Sequence, residues 1–182
     1  MINVALLSRW HVHADDYARQ AGNNESISIK LVWDEELERG EKWAKELGVP
    51  FVEDLQAVMR RSDIDAVIVS TPTNLHKEVI LSAAKNGKHI FTEKVLALSI
   101  ADCDEIYKAV EKANVHLMVS LPRLTENYYL YAQQVVDKGL LGDLSSIRCR
   151  LAHNGAVPHF TPIQQAGFQL IFSTKSSVGE EL

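Results

Sequence analysis

Asp65-Ala-Val-Ile-Val-Ser-Thr-Pro-Thr-Asn-Leu-His76, followed after a helical stretch by Gly87-Lys-His-Ile-Phe-Thr-Glu-Lys94, decides the fold. Residues 66–70 and 89–92 are short β-branched or apolar runs, the kind that strands buried on both faces give. Between them Val79, Ile80, Ala83 and Ala84 are spaced to make one apolar helix face, and Gly87 marks its stop. Strand, helix and strand in this order predict part of a parallel sheet.

Outward from this stretch the pattern repeats. Residues 3–7, 27–33 and 116–120 read as further core strands. Leu37, Gly40, Ala44 and Leu47 form one helical face, and Ile100, Cys103, Tyr107 and Val110 another. Gly48 and Pro50 end the first of these helices, and Ser99, three residues before Asp102, opens the second like a capping box. The order is α/β, a Rossmann-like doubly wound parallel sheet, with no internal repeat. After Gly142, Ile147, Cys149, Leu151 and His153 alternate with Arg148, Arg150 and Ala152, as in a sheet with one wet face. We read this as the first strand or so of a second, α+β domain.

A hydrophobic content of 46% with 24% charged residues is that of an ordinary globular chain, and at net charge -5 no basic stripe offers itself to nucleic acid. The start carries no basic leader and no run of about twenty apolar residues follows, so no membrane contact and a cytoplasmic location are expected. Cys103 and Cys149 lack C-x-x-C spacing and read as two buried thiols.

A dinucleotide fold normally carries G-x-G-x-x-G after its first strand, so that backbone can approach a pyrophosphate at a helix N-terminus. Here the stretch is Ser8-Arg9-Trp10-His11-Val12-His13, with none of the glycines. Ser8 and the backbone N–H groups of Arg9, Trp10 and His11 remain candidates to face a phosphate, and Arg9 adds charge; the alternative is a loop that no longer holds a dinucleotide tightly. His11 and His13 are an i, i+2 pair without a third ligand nearby in sequence, so no metal is expected. Asp34 ends the second strand 26 positions after Ser8, near the place of an acid that bonds a ribose 2′-OH. That role favours NAD over NADP, and the other reading is a cap for the helix near Glu35 and Glu36.

The 65–94 stretch resembles the glucose-fructose oxidoreductase / inositol dehydrogenase (Gfo/Idh/MocA) family. Thr71, Pro72, Thr73, Asn74 and His76 match a turn at the end of one strand, and Glu93 and Lys94 match a Glu-Lys-Pro motif at the end of the next, with Val95 where the family usually has proline. Met118-Val-Ser, Arg123 and Asp137-Lys-Gly-Leu-Leu-Gly-Asp-Leu add to the match, which covers roughly residues 2–158. The resemblance implies an NAD(P)-dependent oxidoreductase that moves a hydride to or from a CH–OH carbon of a sugar, cyclitol or related compound. Lys94 would be catalytic, bonding the reacting oxygen, and both motifs would line the cofactor. Arg123 would touch substrate, and homo-oligomers are the family habit. Taken alone, a Glu-Lys pair after a strand is a solvated surface pair. Tyr128, Tyr129 and Tyr131 lie on a helical segment and are expected to pack against the sheet.

From Phe160 the pattern stops. Read from the third base of each codon, one set of synonymous choices for Val178 to Leu182 gives Gly-Gly-Gly-Ala, which precedes an Asp-x-Gly-x-His catalytic motif in many family members. The expected division is residues 1–122 as the NAD(P)-binding domain, 123–159 as the start of the substrate domain and 160–182 as an out-of-frame tail. Such a chain would be an incomplete form, inactive alone. The alternatives are a non-catalytic dinucleotide-binding module and a non-functional fragment.

Overall fold

The computed structural model describes residues 1–148. The chain divides into two compact units, Met1–Tyr131 and one that starts at Ala132. In the first, β1 (Ile2–Leu7), β2 (Ile27–Trp33), β3 (Ala66–Val69), β4 (His89–Thr92) and β5 (Leu117–Val119) pair in parallel in the order β2-β1-β3-β4-β5. A parallel bridge from Val32 to Phe51 adds a short piece outside β2.

Side-chain alternation along the strands sorts two cores. Leu6 and Val32 pack with Ala14 and Ala18 of α1 (Ala14–Gly22) and with Trp43 and Ala44 of α2 (Leu37–Leu47). Ala5, Leu7, Leu31, Val67 and Val69 belong to the other core. There they meet Val58 and Met59 of α3 (Leu55–Met59), Val79, Ile80 and Ala83 of α4 (Thr73–Lys85), and Ile106 and Val110 of α5 (Ile100–Ala113). Helices cover both faces, so the expected doubly wound sheet is present. Its chain reverses direction across the sheet between β1 and β3, and the crevice outside their carboxyl ends is where such folds bind ligands.

Several local expectations need correction. Helix α1 went unread because its inner face is three alanines, Ala14, Ala18 and Ala21, too small to stand out as an apolar stripe. The inner face of α5 is rotated from the predicted one. Ile106 and Val110 are buried, whereas Ile100 and Tyr107 face solvent. Cys103 is only half-buried, and Cys149 lies outside the described residues. A 3₁₀ turn at Pro122–Thr125 leads to α6 (Asn127–Asp137), which confirms the helical segment, but Tyr128, Tyr129 and Tyr131 are exposed there rather than packed on the sheet. The strand expected from Ile147 and the tail after Phe160 fall on or beyond residue 149, outside the described residues, apart from an exposed Ile147.

The stops behave as read. Gly48 and Gly87 take left-handed backbone, and Ser99 accepts from the Asp102 N–H at 3.1 Å while its hydroxyl donates to the Asp102 carboxylate at 2.7 Å. Lys94–Val95 is a cis peptide bond.

Candidate functional site

The loop after β1 begins at Ser8, buried and held at φ 73°, the left-handed conformation for which a glycine is the usual residue. Its N–H donates to the Trp33 carbonyl at 2.7 Å, and its hydroxyl accepts from the Trp10 N–H at 3.0 Å. The Arg9 N–H donates to Asp34 Oδ2 at 2.8 Å and the His11 N–H to the Ser70 carbonyl at 3.1 Å, so the loop is stitched to the ends of β2 and β3, and the three N–H groups expected to face a phosphate are engaged inside the protein instead. The Arg9 guanidinium does not project toward the crevice as a free charge. It pairs with Asp15 at 2.8 Å and Glu46 at 2.7 Å and lies 5.9 Å over the Trp43 ring.

Asp34 has a fully buried carboxylate with partners on both oxygens. Oδ1 accepts from the Glu36 N–H at 2.9 Å, the capping role named as one of its two readings, and from Arg39 at 2.6 Å; Oδ2 accepts from Arg9 and from Arg39 Nε at 3.0 Å. Arg39 also pairs with Glu35 at 2.7 Å and Glu36 at 2.6 Å. Burial raises the Glu35 carboxyl above its ordinary value against a hydrogen bond from Ser8 and the charge of Arg39. Helix α2 can lie this close to Asp34 only because position 40 is glycine. A Cβ there would stand 2.3 Å from Phe51 Cε2 and 2.6 Å from Asp34 Cβ.

At the end of β3, Thr71 is buried and its hydroxyl is the one buried side-chain polar atom among the described residues without a hydrogen-bond partner. Pro72 stands at the N-cap of α4, with Thr73 and Asn74 in its first turn. His76 is buried, not exposed to the crevice. Its ring nitrogens face the Thr71 carbonyl at 3.0 Å and the Val95 carbonyl at 2.9 Å. It is thus a strut between the turn after β3 and the turn after β4. Burial pushes its pKa below the usual imidazole value despite these carbonyls.

Glu93 is the hub of the site and overturns the surface-pair expectation, since its side chain is 1% exposed. His13 Nδ1 lies 2.8 Å from Oε1, the Tyr17 hydroxyl donates to the same oxygen, and Lys94 donates to Oε2 from its N–H at 2.9 Å and from Nζ at 3.3 Å. His11 Nδ1 stands 3.6 Å from Oε1. The expectation of two imidazoles without a third ligand is therefore corrected, because Glu93 brings a third donor atom to them. Burial alone would raise Glu93, yet hydrogen bonds from His13 and Tyr17 and the charge of Lys94 hold it down at about 2. Burial pushes His11 down to about 4, more than the Glu93 charge lifts it. Tyr17 is raised by burial and by Glu93, and its oxygen also lies 2.7 Å from Ser120 Oγ.

Tyr17 escaped the sequence reading and Ser120 entered it only as the end of the Met118-Val-Ser match, since nothing in either segment's pattern links residues 103 positions apart. They border a cavity of about 500 Å³ walled also by Phe91, Met118, Leu121 and Leu124. Arg123 is not among its walls; its Nη1 reaches the Tyr128 hydroxyl at 3.3 Å. Among the described residues no helix is long and apolar enough to cross a membrane.

A family model described as an oxidoreductase family with an NAD-binding Rossmann fold matches residues 7–121. An uncharacterized oxidoreductase of Streptococcus pneumoniae is 35% identical over 140 residues, 77% of this chain and 37% of that protein. A 2,7-anhydro-N-acetylneuraminate hydratase of Escherichia coli is 36% identical over 155 residues, 85% of this chain and 40% of that one. Among solved structures, a scyllo-inositol dehydrogenase from Lactobacillus casei with bound NAD(H) and scyllo-inositol superposes at TM-score 0.70 with 26% identity, over 79% of this chain and 43% of that chain. The chain spans less than half the length of each of these relatives.

Proposed function

The chain belongs to the Gfo/Idh/MocA oxidoreductase family, and from that premise we propose that it provides the nucleotide-binding portion of an NAD-dependent oxidoreductase acting on a CH–OH carbon of a sugar or cyclitol. Residues 1–122 form the cofactor domain in this reading, and residues 123–159 begin the substrate domain. The observation that carries it is the buried Thr71 hydroxyl, a donor and acceptor without a partner in the turn that follows β3. A polar atom desolvated in this way costs free energy unless a ligand completes it. Ser8, in the backbone conformation of the absent first glycine, keeps the turn that such a ligand needs.

A dinucleotide would lie with its phosphates at the turn of Thr71, Pro72, Thr73 and Asn74, beside a loop whose Ser8, Arg9, Trp10 and His11 N–H groups already donate within the protein, while the end of β2 would face its adenosine ribose. A bound nicotinamide supplies the hydride carrier. Asp34 is buried with both oxygens paired, so Glu35 and Glu36 are the carboxylates left to meet a 2′-phosphate there, which supports NAD over NADP. Lys94 is the group we assign to the reacting oxygen, where its ammonium stabilises charge and passes a proton. Glu93 anchors its backbone and His76 fixes the following carbonyl, so both position Lys94.

Calorimetric titration of the 182-residue chain tests the reading. NADH should bind and NADPH should bind about tenfold or more weakly, a difference of about 1.4 kcal/mol. Thr71→Val, which keeps the shape and removes the hydroxyl, should weaken NADH about tenfold through one lost hydrogen bond, with an unchanged or raised unfolding midpoint. A chain that binds neither nucleotide, or a T71V chain that binds NADH as the parent does, overturns the proposal.

A further inference from the structure

We propose that His11, His13 and Glu93 form a binding site for a divalent first-row transition cation, with Zn²⁺ as its simplest occupant. One ligand atom from each of His11, His13 and Glu93 lies within 4.8 Å of the other two. Two imidazoles and a carboxylate leaving one position open is a donor set that suits such ions. Bonds of about 2.1 Å in a tetrahedral site put neighbouring donors about 3.4 Å apart. His11 Nδ1 to Glu93 Oε1 is 3.6 Å, already at that spacing. His13 Nδ1 to the same oxygen is 2.8 Å and has to open by a few tenths of an ångström, which an imidazole 45% exposed can do.

The arrangement is also poorly explained as a plain hydrogen-bond network. The His13 backbone N–H donates to His11 Nδ1 at 3.2 Å, which matches the tautomer with a lone pair on that nitrogen. It lies 3.6 Å from a carboxylate oxygen of the buried Glu93, lone pair toward lone pair. A cation between the two replaces this repulsion with attraction, and the long contact from the His13 N–H is a weak competitor for the same lone pair. Orientation is ready as well. Tyr17 and the Lys94 N–H fix the Glu93 carboxylate from outside the donor set, as outer partners of metal ligands do. The Lys94 ammonium engages Oε2, on the other carboxylate oxygen from the imidazoles.

Nothing here depends on dinucleotide binding, and the test needs no cofactor. The purified 182-residue chain, stripped with a chelator, is titrated with Co²⁺ while its visible d–d absorption is followed, and Zn²⁺ is then added to displace it. One equivalent with the intense bands of a low-coordinate ion is expected. His13→Ala and His11→Ala should each weaken Co²⁺ about tenfold or more, by loss of one of three ligands. Glu93→Gln should do the same if circular dichroism shows it folded. His89→Ala serves as the control, because His89 and His116 stack 5.0 Å apart elsewhere on the surface and are the competing imidazole pair. Absence of saturable bands, bands that survive both His11→Ala and His13→Ala, or bands lost only in His89→Ala overturn the proposal.

Discussion

Replacing Gly40 with alanine sets two effects of opposite sign against each other. In an exposed helix interior the change would stabilise by about 0.5–1 kcal/mol, because glycine loses more backbone freedom on folding. At this position the added Cβ would come to 2.3 Å from Phe51 Cε2 and 2.6 Å from Asp34 Cβ, against an ordinary carbon contact of about 3.5–4.0 Å. The Asp34 neighbour cannot swing aside, since its carboxylate is tied to Arg9, Glu36 and Arg39. Helix α2 must therefore move outward by about 1 Å, loosening the Arg39 fork and the Val32–Phe51 bridge. Overpacking of this kind costs about 1–3 kcal/mol, and the loss of one charge-assisted hydrogen bond adds about 1.5–3. The expected net is a destabilisation of about 1.5–5.5 kcal/mol, read as a lower urea midpoint at unchanged slope. Gly22, also helical but with nothing within 4 Å of its Cβ position, is the control, and Gly22→Ala should be neutral or stabilising. A G40A chain as stable as the parent would refute the claim that close approach at residue 40 builds the end of β2.

Lys88 is buried and donates to the Arg61 and Ile64 carbonyls at 2.6 and 2.8 Å, so Lys88→Met should destabilise by about 2–3 kcal/mol in the same urea assay. Ser99→Ala removes a cap bonded in both directions and should cost about 1 kcal/mol, with the slope again unchanged. For His76 the folded value is depressed below that of the unfolded ring, so its contribution is fully present above about pH 6.5 and is lost as the pH falls below it. His76→Gln should therefore flatten the fall of unfolding free energy on acidification from pH 7, and an unaltered slope would count against the buried strut.

The strands and their order were legible because a parallel strand buried on both faces leaves a dense apolar run that few other elements produce. Residues 4–7 and 66–69 needed no long-range information. Helices gave less. The α5 segment carries apolar residues around most of its circumference, and Ile100 and Tyr107 are consistent with an apolar face until tertiary packing keeps Val110 and buries Ile106 in their place. In α1 the sheet-facing alanines let the helix lie close, and small side chains are a weak signal of the burial they permit.

The site was legible only in pieces, for a topological reason. Its residues lie at the carboxyl ends of β1, β2, β3 and β4, each where a strand's pattern stops and period carries no information. A Glu-Lys dipeptide after β4 looks solvated until the order β1-β3-β4 brings the loop after β1 above it, joining residues 80 positions apart at 2.8 Å. The same crossing explains why replacing glycines by Ser8, Trp10 and His13 does more than remove backbone freedom. Side chains on that loop meet the neighbouring strand ends, where His13 Nδ1 lies 2.8 Å and His11 Nδ1 3.6 Å from the buried Glu93. A loop with side chains where glycines are usual thus presents donor atoms, and its chemistry follows from which strand ends lie beside it.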